Sequence, residues 1–308
     1  MNNVKYERII DISKAIVTGK TPSTKDEANF SDEYPFITPS DIPSYNEKYI
    51  TNTERGISTK GSKSLKGYML PKGSICVVCI GSTIGKMCYT ITDCYTNQQI
   101  NSIIPKDEYN SNYLFYLIRY LKGYFQLIGG GTGSGKGIVN KTTFSKVKLP
   151  IIEDRRIQDK IACILSTYDD LIEKNNRKIE ILQDMAEELY KEWFVRFRFP
   201  GYKTAKFTDG IPDGWEVKRC GDISMIKAGG DAPKEYSEKK TDKYKYPIFS
   251  NGISEDGLYG YTDKPSIKKE SITISARGTV GYVCLRNEPY LPIVRLLVIV
   301  PNTEIVYY

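Results

Sequence analysis

The sequence predicts an α+β protein in which two related domains, each a twisted mixed sheet with flanking helices, are joined by a long coiled-coil-like helix. At 308 residues, the chain exceeds the usual size of one domain. A central stretch free of Gly and Pro has a helical pattern of apolar residues, and short motifs recur in the same order on either side of it. The expected boundaries are residues 1–150, 151–199 and 200–308.

The composition is that of an ordinary globular protein, with 40% hydrophobic and 26% charged residues. The longest apolar runs fall far short of the roughly 20 residues that a membrane span needs. The N-terminal MNNVKYERII carries charges where a signal peptide would be apolar. We therefore expect a cytoplasmic protein that does not contact a membrane.

The chain contains no histidine, which removes the commonest general base and the commonest metal ligand. Four of its seven cysteines, Cys76, Cys79, Cys88 and Cys94, imitate a four-thiolate zinc site. In a strand, however, positions three apart point to opposite faces, so Cys76 and Cys79 cannot reach one metal ion without a bend. We expect buried thiols, no metal site and a binding role instead of catalysis.

In the first domain, the apolar, β-branched run at residues 74–80 predicts a strand that ends near a Thr-apolar-Gly turn at residues 83–85. Residues 112–127 predict a helix. The glycine-rich residues 129–137 resemble a nucleotide-binding P-loop, but Gly137 stands where that loop needs a Ser or Thr hydroxyl for magnesium. We expect a flexible basic loop there and no ATP site.

Between the domains, apolar residues recur at steps of three and four over residues 153–198, as in a heptad seam. Asn175 and Lys178 interrupt the seam with polar groups. A helix of about 45 residues would be roughly 65 Å long and would need a partner along its apolar stripe. A long helix packed on its own domain is the alternative. The seam consists of Ile157, Ile161, Ile164, Tyr168, Leu171, Leu182, Met185 and Leu189.

The two outer domains share short motifs that keep their order. The matching pairs are residues 11–13 with 222–224, 34–36 with 246–248, 83–85 with 279–281, and 104–105 with 300–301. Four matches in order rarely arise by chance, so we expect the second domain to repeat the sheet of the first. The second domain has no counterpart of the helix at residues 112–127 before Tyr308.

The positive charge of the chain lies in its outer domains. Residues 1–150 carry 19 basic and 12 acidic side chains, residues 151–198 carry 9 and 11, and residues 199–308 carry 16 and 14. Two basic domains around a mildly acidic helix suit a partner rich in phosphates, such as nucleic acid.

Several segments resemble the specificity subunit of type I restriction-modification systems. The sequence Leu149-Pro150-Ile151 leads into the helix, and residues 161–176 and 189–194 are similar to the central conserved region of that family. Residues 211–223, which begin Ile-Pro-Asp-Gly-Trp, resemble the start of one of its target-recognition domains. The resemblance covers nearly the whole chain.

This resemblance implies a non-catalytic subunit that reads a split sequence on double-stranded DNA, one half with each target-recognition domain. The helix would set the spacing of the half-sites and dock two modification (methyltransferase) subunits through the seam residues. No cofactor is expected in this chain, since S-adenosylmethionine, ATP and magnesium would bind to the modification and restriction subunits. The second domain lacks segments that this family would have, so we expect either a truncated product or a half-length variant, and a self-dimer through the helix stays open.

Lysine and arginine suit phosphate contacts, whereas asparagine and glutamine amides suit base edges. For phosphates we expect Lys20, Lys63, Lys66, Lys86, Lys136 and Lys141 in the first domain, and Lys234, Lys239 and Arg277 in the second. For base edges we expect Asn97, Gln98 and Gln99. The alternative for any one of these lysines is a solvated surface charge.

Two other functions stay open. Residues 287–290, Asn-Glu-Pro-Tyr, differ by Glu288 from the Asn-Pro-Pro-Tyr loop of DNA adenine methyltransferases, so the chain could be a fragment of such an enzyme or of a fused restriction-modification enzyme. It could also be a coiled-coil interaction protein without a DNA role. Tight binding of S-adenosylmethionine by the chain alone would favour the enzyme, and salt-independent behaviour on duplex DNA would favour the interaction protein.

Overall fold

The computed structural model describes residues 4–42, 47–50, 52–130 and 137–302. The chain forms two compact units, Met1–Leu189 and Tyr190–Tyr308, called unit 1 and unit 2 below. No helix within the described ranges is long and apolar enough to cross a lipid bilayer.

Unit 1 combines short strands with helices, and the last of these helices is long. Its strands are β1 (Val4–Arg8), β2 (Ser13–Thr18), β3 (Phe30–Ile37), β4 (Gly56–Ile57), β5 (Ile75–Val78), β6 (Met87–Tyr89), β7 (Tyr95–Thr96), β8 (Ile100–Pro105) and β9 (Lys148–Ile152). Its helices are α1 (Thr59–Ser64), α2 (Ser111–Tyr120), α3 (Lys122–Gly130), α4 (Lys141–Lys146) and α5 (Arg155–Tyr190).

The strands of unit 1 pair in both directions. The largest sheet has the order β2-β8-β5-β6 and is antiparallel throughout. A second sheet has the order β4-β3-β7, and its β3–β7 pair is parallel. Strands β1 and β9 form a separate antiparallel pair. Unit 1 is therefore the α+β arrangement of mixed sheets and flanking helices that the sequence predicts.

The largest sheet of unit 1 is buried on both faces, which is why β5 is apolar at every position. On one face, Val77 and Ile103 pack with Phe115 of α2. On the other face, Val78 packs with Ile42 from the loop that follows β3. Burial of these side chains is the main force that holds the sheet in place.

The cysteines in and just after β5 face opposite sides of this sheet, as predicted. Cys76 belongs to the core on one face and Cys79 to the core on the other. Burial raises the pKa of Cys79 to about 11, so this thiol is neutral near pH 7. Within the described ranges, no three Cys, Asp or Glu side chains are grouped in a way that could hold a metal ion.

The helix expected at residues 112–127 is divided in the structure. Asn110 caps the start of α2, because its side chain accepts the N–H of Tyr113 at 3.0 Å. The helix ends where the N–H of Leu121 bonds to the Ile118 carbonyl at 3.0 Å, a tighter turn than an α-helix makes. The resulting break lets α3 bring Phe125 into the same core.

The central helix α5 is 36 residues long, or about 54 Å at 1.5 Å per residue. It continues into a π-helical turn at Lys191–Val195. The helix starts later than the boundary expected at residue 151, because Ile151 belongs to β9 and pairs with Lys5 of β1. Asp154 marks the actual start, since its carboxylate accepts the N–H of Arg156 at 2.9 Å.

Unit 2 consists mainly of strands. They are β10 (Phe207–Thr208), β11 (Ile211–Pro212), β12 (Ser224–Ala228), β13 (Tyr246–Phe249), β14 (Leu258–Thr262), β15 (Ser271–Ile274), β16 (Val283–Arg286), β17 (Leu291–Pro292) and β18 (Leu297–Pro301). A short helix, α6 (Cys220–Ile223), precedes β12.

Unit 2 repeats the sheets of unit 1. Its four-stranded order β12-β18-β15-β16 and its three-stranded order β14-β13-β17 reproduce those of unit 1, including the parallel pair β13–β17. The registers also agree, since Ser13 lies opposite Pro105 in unit 1 and Ser224 lies opposite Pro301 in unit 2. The predicted duplication is confirmed.

The two copies differ in what covers the four-stranded sheet. Met87 of β6 is 2% exposed, because it packs in the core that α2 and α3 complete. At the matching position of β16, Val283 is 56% exposed, and Leu285 on the same face of that strand is 52% exposed. Unit 2 has no counterpart of α2 or α3 within its described residues.

An aromatic cluster lies at the start of unit 2, around the Trp of the Ile-Pro-Asp-Gly-Trp motif. The Trp215 ring is 5.5–5.9 Å from the rings of Phe194, Phe197 and Phe199. Phe197 in turn contacts Phe207 of the β10–β11 hairpin, with ring centres 6.3 Å apart. These ring contacts hold the chain together where the π-helical turn ends.

Candidate nucleic-acid interface

Three loops of unit 1 meet at one edge of the four-stranded sheet. The loop after β2 contacts the turn before β8, because the N–H of Lys20 donates to the Thr96 carbonyl at 2.9 Å. Gly19 permits this approach, since a Cβ there would lie 2.2 Å from the Thr96 carbonyl oxygen. The next side chain, Thr21, donates its hydroxyl to Oε1 of Gln98 at 2.9 Å.

The turn at residues 97–99, called the amide turn below, contains the three predicted base-reading residues. Asn97 is buried and fixes the turn: its Oδ1 accepts the Gln99 N–H at 3.0 Å, and its Nδ2 donates to Gln99 Oε1 at 3.1 Å. Gln98 is exposed and Gln99 is half-buried. The turn thus offers the amides of Gln98 and Gln99 to a ligand, while Asn97 positions them.

The end of the glycine-rich segment lies beside the amide turn. The N–H of Cys79 donates to the Gln99 carbonyl at 2.8 Å, and the Cys79 carbonyl accepts the N–H of Val139 at 2.8 Å. The Gly137 carbonyl accepts the N–H of Gly81 at 3.0 Å. Lys141 follows at the exposed start of α4. Lys136 lies outside the described residues.

The predicted phosphate-binding lysines of unit 1 differ in their surroundings. The ammonium group of Lys20 lies 5.6 Å from the centre of the Tyr68 ring, which connects it to the segment after α1. Lys63 and Lys66, on and just after α1, are exposed. Lys86 is half-buried and donates to the Ile42 carbonyl at 3.0 Å, which suits a structural role in the loop.

A polar groove of about 440 Å³ opens next to the amide turn. Arg55 contributes a guanidinium group to this groove, together with the acidic side chains Asp41 and Glu54. The sequence reasoning missed Arg55, since a lone arginine in a loop carries no pattern. The other polar side chains of the groove are Thr21, Thr38, Ser40, Asn97 and Gln99.

In unit 2, two turns are joined by one asparagine. Oδ1 of Asn251 accepts the N–H of Ala276 at 2.7 Å and that of Arg277 at 3.3 Å, while its Nδ2 donates to the Val294 carbonyl at 2.7 Å. The predicted phosphate contact Arg277 is therefore held near the turn at residues 293–295.

The two predicted lysines of unit 2 lie in different places. Lys234 is exposed in the loop after Gly230, and Gly230 pairs with Ile293. Lys239 lies next to the three-stranded sheet instead, because Ser237 bonds to it and pairs with Tyr261 of β14. Arg277 is thus tied to the turn at residues 293–295, whereas Lys239 lies beside the three-stranded sheet and Lys234 lies in the loop between Gly230 and Ser237.

The resemblance of residues 287–290 to a methyltransferase loop is not matched by their structure. Tyr290 is fully buried, and its hydroxyl lies 2.8 Å from the Ser271 hydroxyl. Its ring packs edge-on against Phe249. A tyrosine in the core of unit 2 has no open face on which a target base could stack, so the methyltransferase interpretation of this segment is wrong.

The seam of α5 is mostly uncovered. Ile157 and Ile161 are half-buried, and Ile161 packs against the core of unit 1. The other seam residues are 49–64% exposed, which is unusual for large apolar side chains that are spaced along one helix. They are Ile164, Tyr168, Leu171, Leu182, Met185 and Leu189.

A different face of α5 holds the helix to unit 1. Gln158 is buried, its Nε2 donates to the Ile152 carbonyl at 2.7 Å, and its Oε1 accepts the N–H of Asn110 at 2.9 Å. Two turns later, Ser166 contacts the buried ammonium group of Lys48 at 3.0 Å. The seam and the anchoring face are thus separate surfaces of one helix.

Lys48 lies in an aromatic cage that the sequence reasoning missed. Its ammonium group donates to the Tyr116 hydroxyl at 3.1 Å and lies 4.8–5.3 Å from the ring centres of Tyr49, Tyr89 and Tyr116. Burial lowers the pKa of Lys48, although the nearby carboxylate of Asp169 acts in the other direction.

The same cage ties two carboxylates of α5 to unit 1. The Tyr116 hydroxyl donates to Asp169 at 2.7 Å, and the Tyr49 hydroxyl donates to Asp170 at 3.1 Å. Burial raises the pKa of both tyrosines, so both hydroxyls stay protonated as donors. The cage therefore holds α5 to the rest of unit 1.

Comparison with known proteins agrees with this arrangement. A family model described as type I restriction modification DNA specificity domain matches residues 1–183 and 212–308. The MjaIX specificity subunit of Methanocaldococcus jannaschii is 36% identical over 236 residues, which are 74% of this chain and 53% of that protein. The HindI specificity subunit of Haemophilus influenzae is 37% identical over 140 residues, or 44% of this chain and 29% of that protein.

The chain spans about half, or less, of the length of these two relatives. Among solved structures, the type I restriction-modification S subunit from M. genitalium aligns with a TM-score of 0.56 at 16% identity, over 98% of this chain and 74% of that one. This likeness concerns the fold alone. With a family model that matches nearly all of both units, the chain belongs to the type I restriction-modification DNA specificity domain family.

Proposed function

We propose that this chain reads DNA sequence for a type I restriction-modification complex, with each unit reading one half of a split site. The observation that carries the proposal is the duplication itself: two units with the same sheet order present loops at the same sheet edge. In unit 1 that edge carries the amides of Gln98 and Gln99 beside Lys20. In unit 2 it carries Arg277, which Asn251 connects to the turn at residues 293–295.

The two kinds of side chain at this edge would do different work. Lysine and arginine hold phosphates irrespective of sequence, so they give affinity and its dependence on salt. Glutamine amides hydrogen-bond to base edges, with adenine as the preferred base in the major groove. Asn97 supports them from within the turn, because its side chain bonds to the backbone and the side chain of Gln99.

The proposed division of labour follows residues 1–150, 151–199 and 200–308. The exposed seam of α5 would dock two modification subunits, and the helix would set the distance between the half-sites. Contacts with restriction subunits are part of the same proposal, and a second copy of the chain is the alternative occupant of the seam. Methyl transfer from S-adenosylmethionine and ATP-dependent steps would belong to the partners. A cytoplasmic location is part of the same proposal.

Binding to duplex DNA as a function of salt tests this proposal. The chain, purified with the modification subunits that accompany it, should bind one split sequence more tightly than unrelated duplexes. Its affinity should fall linearly with salt concentration on a log–log plot, because phosphate contacts release counterions. Salt-independent behaviour would support an interaction protein without a DNA role, and tight binding of S-adenosylmethionine by the chain alone would support an enzyme fragment.

A further inference from the structure

The turn at residues 293–295 of unit 2 takes the place of the amide turn. In unit 1 the N–H of Ile100 closes the turn on the Asn97 carbonyl at 3.2 Å, and in unit 2 the N–H of Leu296 closes it on Ile293 at 3.0 Å. The first residue of each turn is buried and the second is exposed. By this match, Gln99 of unit 1 corresponds to Arg295 of unit 2.

The same glycine contact supports both turns. The N–H of Gly19 donates to the Ile100 carbonyl at 3.1 Å, and the N–H of Gly229 donates to the Leu296 carbonyl at 2.8 Å. A Cβ on Gly229 would lie 2.7 Å from the Pro292 backbone, much as one on Gly19 would meet Thr96. The two turns are therefore equivalent in their position on the sheet and in their neighbours.

The chemistry of the two turns differs. Where unit 1 has Asn97, Gln98 and Gln99, unit 2 has Ile293, Val294 and Arg295. Arg295 is exposed and supplies the polar side chain of this turn. One guanidinium nitrogen donates to the Gly229 carbonyl at 3.3 Å, which uses one of its five N–H donors.

The backbone of this turn is strained. Val294 and Arg295 have φ angles of 52° and 59°, in the left-handed region that β-branched residues rarely enter. Three hydrogen bonds keep the turn in this conformation. The N–H of Val294 donates to the Gly230 carbonyl at 2.8 Å, and the N–H of Arg295 donates to the Gly229 carbonyl at 3.2 Å. The side-chain amide of Asn251 donates to the Val294 carbonyl. Such strain persists where the surrounding structure enforces it, commonly at binding sites.

We propose that Arg295 reads a guanine in the half-site of unit 2, by donating both arms of its guanidinium group to O6 and N7 of the base. This inference rests on the proposed function. Arginine is the side chain best shaped for this pair of acceptors, as glutamine is for adenine. Arg277 is held close by through Asn251 and would contact an adjacent phosphate.

The two halves of the recognised sequence therefore differ in the base that the equivalent turns read, with adenine for unit 1 and guanine for unit 2. The sequence alignment of the repeats is sufficient to locate Arg295, since the offset of 196 between residues 83–85 and 279–281 also converts 99 to 295. The structure adds three observations: the hydrogen bond that closes both turns, the exposure of the Arg295 side chain, and the strained backbone at Val294 and Arg295.

Selection from a library of randomised duplexes tests the proposal. The full chain, with its modification subunits, is compared as wild type, Arg295→Gln, Arg295→Lys and Arg277→Gln. The wild type should enrich a guanine at one position of one half-site. Arg295→Gln should lower the preference for that guanine about 5- to 150-fold and shift it toward adenine, leaving the other positions unchanged.

The Lys variant separates charge from geometry. Arg295→Lys keeps the charge and should keep the salt dependence, yet it should lose most of the guanine preference, because an ammonium group has no planar fork. Arg277→Gln should weaken binding to all sequences alike. If Arg295→Gln weakens all sequences equally, Arg295 is a phosphate contact; if it keeps the guanine preference, another side chain reads that base. Either result overturns the inference. A wild type that enriches no sequence overturns the proposed function and this inference together.

Discussion

Lys48 shows how a single residue can join a sheet domain to a helix. Its ammonium group is buried among tyrosine rings and hydroxyls, and its pKa stays below the ordinary value of 10.5 because burial opposes the charge. The unfolded chain therefore holds this proton more tightly than the folded chain. It follows that the free energy of unfolding rises with pH, from the lowered pKa of the folded state up to the ordinary value.

We expect Lys48→Met to remove this increase in the free energy of unfolding with pH, because methionine keeps an apolar stem and has no proton to lose. Urea unfolding at about pH 7 and about pH 9.5 measures the effect as a difference between the two proteins. The wild type should gain stability at the higher pH relative to the variant. Lys63→Met, at an exposed lysine, is the matched control and should keep the wild-type dependence. Identical pH dependence in Lys48→Met and the wild type would contradict this account.

At the amide turn, we expect Gln98→Ala to relax the sequence preference at one position of one half-site. The loss of a base contact costs about 1–3 kcal/mol against the correct base. Lys20→Gln should behave differently: it should weaken all sequences alike and lower the slope of the salt dependence by about one. Binding of matched and mismatched duplexes at several salt concentrations distinguishes the two. A uniform loss for Gln98→Ala would show that this amide does not read a base.

The functional side chains that the sequence revealed are neighbours in the chain, whereas those that it did not reveal are far apart in the chain. The amides at residues 97–99 are neighbours in the chain, so their cluster is visible in the sequence. The cage of Lys48 is not visible, because Tyr116 and Ser166 lie 68 and 118 residues away. A hydrophobic or charged pattern reports local structure, whereas a buried ammonium group depends on contacts that only the fold brings together.

At the scale of elements, α5 presents two surfaces with separate tasks. Gln158, Ser166 and Asp169 attach it to unit 1, while the seam stays exposed. The periodicity of the sequence predicted the helix and its seam but not the anchoring face, which uses polar bonds instead of apolar spacing. The break between α2 and α3 was missed as well: Gly123 follows Leu121 closely, but a single Gly within a helical pattern is tolerated and does not by itself indicate a break.

We expect the double variant Leu182→Asp/Leu189→Asp to lose association with the modification subunits. Truncation of an important interface residue typically costs about 2 kcal/mol of binding free energy. An aspartate carboxylate buried without a partner in an apolar contact costs several times as much. Co-purification and circular dichroism together measure docking and folding. Asp184→Lys changes the charge two residues from Leu182, on the other side of the helix, and should leave docking intact. Unchanged co-purification of the double variant would place the docking surface elsewhere.

At the scale of the whole molecule, the duplication is the feature that links sequence to function. Four short motif pairs predicted it, and both sheet orders and strand registers confirm it. What the motifs could not predict is the divergence between the copies. The sheet face that helices cover in unit 1 is exposed in unit 2, at Val283 and Leu285. The amide turn of unit 1 is replaced in unit 2 by a strained turn that carries Arg295.

The central claim is that each unit reads its own half of a split site. Methylation mapping in cells tests it most directly, when residues 1–150 are exchanged for the matching block of a relative and the modification subunits are present. The account predicts that one half of the methylated sequence changes, while the other half and the gap between them stay the same. A change in both halves, or in neither, would contradict the claim.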